Sequence, residues 1–152
     1  MMSPETGRQV DFEPIGEGEE RGQTLLADDT VVETRIVLAD LLIMGEDMLG
    51  PQVAINPVIA LRTKCSPKVM EMFKDKPFPP ATPIPFTPEG GFEIIDIVKV
   101  LKPTQSSYKF EKYTITISLK IDSVARNKLY KIINGGPIYN VRWTTNYKVA
   151  MV

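Results

Sequence analysis

From Lys112 to Ile121 the chain reads KYTITISLKI, an unbroken alternation. Tyr113, Ile115, Ile117, Leu119 and Ile121 fall on one side, and Lys112, Thr114, Thr116, Ser118 and Lys120 on the other. Successive strand side chains point to opposite faces, so this is the pattern of a strand with one buried and one wet face. The period returns at the end of the chain. There Tyr139, Val141, Trp143, Tyr147, Val149 and Met151 share one parity, and Asn140, Arg142, Thr144, Asn146 and Lys148 the other. The runs TVVETRIVL (30–38) and FEIIDIVKVLK (92–102) are rich in β-branched residues and also predict strands. QVAINPVIALRT (52–63) predicts a strand that Pro57 confines to an edge or a bulge, because proline has no N–H to donate.

Three segments carry helical spacing instead. SPKVMEMFKDK opens with Ser66 as N-cap and Pro67 at the first helical position. In ADLLIMGEDMLGP, Leu41, Met44, Met48 and Leu49 fall near one helical face, with Asp40 as cap and Gly50-Pro51 as stop; a continuing strand is the alternative. In DSVARNKLYKIINGGP, Ala125, Leu129, Ile132 and Ile133 make an apolar stripe between a cap at Asp122 or Ser123 and a stop at Gly135-Gly136-Pro137. The expected fold class is therefore α+β: a mainly antiparallel sheet with two or three short helices. Residues 1–23, rich in glycine and carboxylates, predict a disordered acidic tail. Residues 24–152 predict one α+β domain, and no repeat of 20–50 residues is visible.

KPFPPATPIPFTPEGG (76–91) lies inside that domain. Pro77, Pro80 and Pro83 keep the three-residue spacing of polyproline II, and Lys74 precedes Pro77 by three, a pattern that proline-binding grooves accept. Phe78, Ile84 and Phe86 favour a second reading, an ordered strap anchored across the core.

Charge changes the picture more than composition does. The 152 residues carry a net charge of −1, with ordinary hydrophobic (43%) and charged (24%) fractions for a globular protein. Residues 1–75 hold 7 Lys/Arg against 14 Asp/Glu, whereas residues 92–152 hold 10 against 4. The ten basic residues are Lys99, Lys102, Lys109, Lys112, Lys120, Arg126, Lys128, Lys131, Arg142 and Lys148, candidates for an anionic surface. The aromatic residues of the two alternating strands have the opposite parity to their basic residues, which disfavours base stacking.

Catalytic chemistry finds little to work with. There is no histidine, and the single cysteine, Cys65, has no imidazole to activate it. GEGEERG (16–22) has the glycines of a phosphate loop, but Glu17, Glu19 and Glu20 would repel a phosphate. Asp40 and Asp96 stand among apolar residues without a paired acid. No catalytic residue, metal or cofactor is assigned.

The expected function is that of a non-enzymatic structural or interaction protein. Its basic C-terminal region would meet an anionic membrane surface, and its acidic half protein partners, copies of the chain among them. Small matrix proteins of enveloped RNA viruses have this charge layout, an analogy with no shared motif behind it. Nucleic acid or nucleoprotein is the alternative partner for the same lysines, and a small carboxylate- or metal-dependent enzyme the third reading. No membrane-spanning run and no secretory signal are read, and one cysteine fits a reducing compartment, so the expected location is cytoplasmic, at a membrane periphery or in a virion.

Overall fold

The structure, a computed structural model, describes residues 7–16 and 21–152. It corrects the fold class: strand accounts for 65% of the chain and helix for 7%, in two antiparallel sheets rather than an α+β arrangement with two or three helices. In chain order the strands are β1 (Arg8–Gln9), β2 (Glu13–Pro14), β3 (Gly22–Leu26), β4 (Val31–Asp47), β5 (Gly50–Lys64), β6 (Phe92–Ile95), β7 (Ile97–Lys102), β8 (Thr104–Phe110), β9 (Tyr113–Lys131) and β10 (Pro137–Met151). The single α-helix among the described residues, α1 (Pro67–Phe73), starts as the sequence predicts, with the Ser66 hydroxyl accepting from Val69 N–H.

Two long hairpins organise the sheets. In the first sheet β4 pairs with β5 along one edge; along its other edge it pairs with β3 at Val31–Thr34 and with β1 at Leu42–Ile43, and β7 extends the sheet beyond β3. In the second sheet β9 pairs with β10 along one edge; along its other edge it pairs with β8 at Tyr113–Leu119 and with β6 at Val124–Asn127, and β2 extends the sheet beyond β8. The pairing scheme of β1–β5 therefore recurs in β6–β10, including the exchanged strand: β2 joins the second half's sheet and β7 the first half's. Asp96 marks one of these crossings. It separates β6 from β7, and its carbonyl accepts Ala27 N–H at 2.9 Å.

The sheets face each other over one core. Leu26, Val32, Ile36, Leu38 and Leu41 meet Tyr108, Phe110, Ile115, Ile117 and Val124. Each fully buried aliphatic side chain of this kind contributes about 1.5–3 kcal/mol. Polar bonds tie the layers as well: Tyr108 Oη accepts Leu38 N–H at 3.0 Å, and the Thr34 and Thr104 hydroxyls are hydrogen-bonded.

The two helices expected over 40–50 and 122–137 are absent: strand runs on to Asp47 in β4 and to Lys131 in β9, and residues 48–49 and 132–136 form the hairpin turns. The cause is bulges. Register shifts occur between Leu38 and Asp40, between Ile43 and Gly45, and opposite Asp122. Each inserts a residue and resets the alternation. Inward residues then fall three apart, as Leu38 and Leu41 do, or Ile121 and Val124, while most of the stripe read as a helical face is exposed: Met44, Met48 and Leu49 in the first case, Leu129 and Ile133 in the second. Pro57 lies on β5, which pairs only with β4 and so is an edge strand, in keeping with its missing donor.

The disordered-tail expectation is overturned for residues 7–16. Val10 N–H bonds to Leu41 O at 3.1 Å, Ile15 N–H to Ser107 O at 2.9 Å, and Phe12 packs edge-on against Tyr108. Gly22 and Gln23, assigned to the tail, begin β3. The acidic run 17–20 lies outside the described residues.

The proline segment is ordered but does not cross the core. Phe78 and Phe86 are 63% and 52% exposed. The segment runs over the surface, held by Lys131 N–H to Pro77 O at 3.0 Å, by Phe92 N–H to Thr87 O at 3.3 Å, and by Phe86 stacked edge-on against Phe92. Gly90 closes it: a Cβ there would stand 2.0 Å from Pro85 O.

Candidate anion-binding surface

Register decides which side chains share a face. Tyr113, Ile115, Ile117 and Leu119 of β9 point into the core, so Thr114, Thr116, Ser118 and Lys120 point out. Directly paired residues lie on the same side of a sheet. Lys120 therefore neighbours Thr144; Ser118 neighbours Asn146 and Gln105; Thr116 neighbours Lys148 and Ser107; Thr114 neighbours Ala150 and Lys109. Past the bulge at Asp122, Arg142 pairs with Ser123. The outer face of the second sheet thus carries Lys109, Lys120, Arg142 and Lys148 in a field of hydroxyls and amides. The Ser107 and Thr116 hydroxyls bond at 2.9 Å, and Thr144 donates to Asp122. Among the described residues, Glu13 opposite Lys109, Asp11 and Glu111 in the same hollow as Lys109, and Asp122 are acidic residues on or beside this face.

The other basic residues lie elsewhere. Lys112 sits in the β8–β9 turn with Nζ 5.6 Å from the Tyr113 ring centre. Lys99 and Lys102 belong to β7, in the first sheet. Lys128 is exposed near the far end of β9, and Lys131 donates to Lys74 O at 2.7 Å with its ammonium over the Phe78 ring. Arg126 is withdrawn from solvent, its side chain 11% exposed, and reaches Glu93 at 2.6 Å and Asp28 at 3.2 Å. At the end of α1, Lys74 pairs with Glu71 at 3.2 Å, while Pro77, Pro80 and Pro83 of the strap are exposed. The aromatics keep their expected parity: Trp143 pairs with Ile121 and Tyr147 with Ile117, on the inward side.

The structure also gathers cations that charge arithmetic by sequence halves concealed. Arg35 on β4 and Arg62 and Lys64 on β5 belong to the acidic half, yet they face outward on the first sheet. Lys99 and Lys102, registered with Leu25 and Gln23, share that face. Only the β4–β5 and β3–β7 registers reveal the grouping.

Cys65 lies in a polar cluster between the sheets with Asp28, Thr30 and Tyr139. Burial and then Asp28 push its thiol above the ordinary cysteine range, with hydrogen bonds from its neighbours opposing. Such a thiol is protonated near neutral pH and is a poor nucleophile. Among the described residues no group of three or more Cys, Asp or Glu is arranged to hold a metal ion. No helix among them is long and apolar enough to cross a membrane, which says nothing of strands. Comparison with protein-family models, with curated proteins and with solved structures finds no match, so the surface is read from its own geometry.

Proposed function

We propose that the protein is a non-enzymatic interaction protein that binds a phosphate-bearing membrane surface through the outer face of its second sheet. The observation that carries this reading is the placement of Lys109, Lys120, Arg142 and Lys148 among hydroxyl and amide side chains on one exposed sheet face. Lysine is a mobile point charge that meets headgroup phosphates without demanding a fixed geometry. Short hydroxyl side chains between the cations add hydrogen bonds to the same oxygens. Trp143 and Tyr147, on the inward side, are not interleaved with these cations, so the face lacks the stacking platform of a single-stranded nucleic-acid binder. The chain has no histidine to serve as the usual general base near neutral pH, and burial pushes the Cys65 thiol toward its protonated form, which supports the non-enzymatic part of the reading.

Sedimentation with vesicles tests it. Vesicles of phosphatidylcholine with about one-third phosphatidylserine should carry the protein down at low salt and release it as salt rises, because the attraction is screened. Pure phosphatidylcholine should not. Binding to single-stranded RNA with none to anionic vesicles would replace the membrane by nucleic acid as the partner.

A further inference from the structure

At the end of the second sheet away from Lys109, the outer face turns from polar to apolar. Val124 and Ile95 pack on the core, so their neighbours Ala125 and Ile94 point outward. Ile94 and Asn140 both pair with Ala125, from its two sides, and Arg142 pairs with Ser123. Arg142 thus belongs both to the lysine face and to this apolar end. Phe86 arrives from the strap. With Ile94, Asn140 and Arg142 it surrounds an open hollow of about 210 Å³ over Ala125, and no carboxylate lines it among the described residues.

Two large apolar side chains stand in water at the rim of this hollow: Ile94 is 81% exposed and Phe86 52%. A single exposed apolar residue is ordinary, but two beside an arginine, where a cationic face ends, form a contact surface. Phe86 is also held in place. Pro85 precedes it and Pro88 follows two residues later. Its ring meets that of Phe92 edge-on at 4.9 Å, and the Thr87 hydroxyl accepts Gly90 N–H at 3.2 Å. A side chain fixed in this way loses little conformational entropy when a partner covers it. The surroundings select the partner. A bilayer presents phosphates above acyl chains, and here a cation stands beside protruding apolar groups in the same order. A nucleic-acid backbone offers Ile94 no such apolar layer.

We propose that Phe86 and Ile94 form an apolar anchor that enters the acyl-chain boundary of an anionic bilayer while Arg142 and the lysines meet its headgroup phosphates. The anchor rests on the membrane-binding reading above and adds to it a contribution that salt does not screen.

The test uses vesicles of phosphatidylcholine and phosphatidylserine, with and without bromine on the acyl chains. In Trp143→Phe/Phe86→Trp the sole indole stands at the anchor. Its emission should shift to the blue on binding and be quenched by the brominated chains. Ile94→Ser changes an exposed side chain, should fold as the wild type does, and covers the case in which the tryptophan variant fails to fold. It should bind about tenfold more weakly at low salt. Its salt dependence should be that of the wild type, because no charge is removed. Ile94→Leu should bind as the wild type, and Lys120→Glu/Lys148→Glu should flatten the salt dependence instead. Wild-type capture by the vesicles with no quenching at position 86 and no loss in Ile94→Ser would overturn the anchor and leave the lysine face standing. No capture of the wild type would overturn both. Concentration-dependent self-association that Ile94→Ser removes, with no quenching, would give these side chains to a second copy and overturn the anchor.

Discussion

The phenol of Tyr139 donates to Asp28 Oδ2 at 2.6 Å, and the same oxygen accepts from Arg126 at 3.2 Å. These contacts join the β3–β4 turn of the first sheet to β9 and β10 of the second. Burial first, and then the bond to Asp28, push the phenol well above the ordinary tyrosine range. Tyr139→Phe should cost about 1–3 kcal/mol, because it removes a donor from a carboxylate whose side chain is largely buried. The sign with pH follows. The unfolded phenol ionises near about pH 10, whereas the folded one resists, so this stabilisation is complete below that pH and is lost as pH rises beyond it. Urea midpoints at neutral pH and above pH 10 should fall further for the wild type than for Tyr139→Phe. An equal fall in both would remove Tyr139 as the source.

Gly22 marks the closest approach of β3 to β8. A Cβ there would stand 1.8 Å from the Thr104 hydroxyl and 2.7 Å from its Cα, so the backbone itself is in the way. Gly22→Ala should destabilise by about 1–3 kcal/mol as an overpacked contact. Gly22→Ala/Thr104→Ala, which removes the hydroxyl oxygen nearest the new Cβ, should destabilise by less than the two single changes added together. Chemical denaturation of the single and double variants checks both statements.

How far the sequence could be read depended on where the alternation was unbroken. Residues 113–121 and 139–151 showed their faces directly, and the strap's position between the acidic and basic halves was visible too. The bulges at Ala39, Met44 and Asp122 were not, because an inserted residue converts a period of two into a local spacing of three. Two strands then read as helices, also because exposed apolar residues in the turns, Met48, Leu49 and Ile133, extended the apparent stripes. β8 was hidden for another reason: its inward residues include Thr104 and Ser106, which are polar, so TQSSYKF shows no hydrophobic pattern. The lysine face was half legible. Parity placed Lys120, Arg142 and Lys148 on the polar side, but only register could bring in Lys109, or assign Lys99 and Lys102 to the other sheet. The arginines around Glu33 were invisible to a count by halves, since Arg62 meets Glu33 across a hairpin.

The exchanged strands predict how the chain behaves when it is cut. β2 lies in the second sheet and β7 in the first, so each half of the chain is paired into the other's sheet. Phe86, exposed and followed by threonine, is open to chymotrypsin, while Phe78 is followed by Pro79 and resists. Limited digestion should nick the strap at Phe86 and leave the fragments eluting together on native size exclusion, separating only in denaturant. Fragments that separate without denaturant would mean that the strap, and not the shared sheets, holds the halves together.

The most direct test of the central claim is anionic-vesicle binding by a variant with Lys109, Lys120, Arg142 and Lys148 all changed to Glu. Each cation near a charged surface contributes about 1 kcal/mol, so losing four should weaken binding by at least about 100-fold. The side chains point away from the core, so circular dichroism and the urea midpoint should remain close to those of the wild type. Loss of vesicle binding with the fold retained is the expected result. Wild-type binding by the folded variant would contradict the assignment of this face.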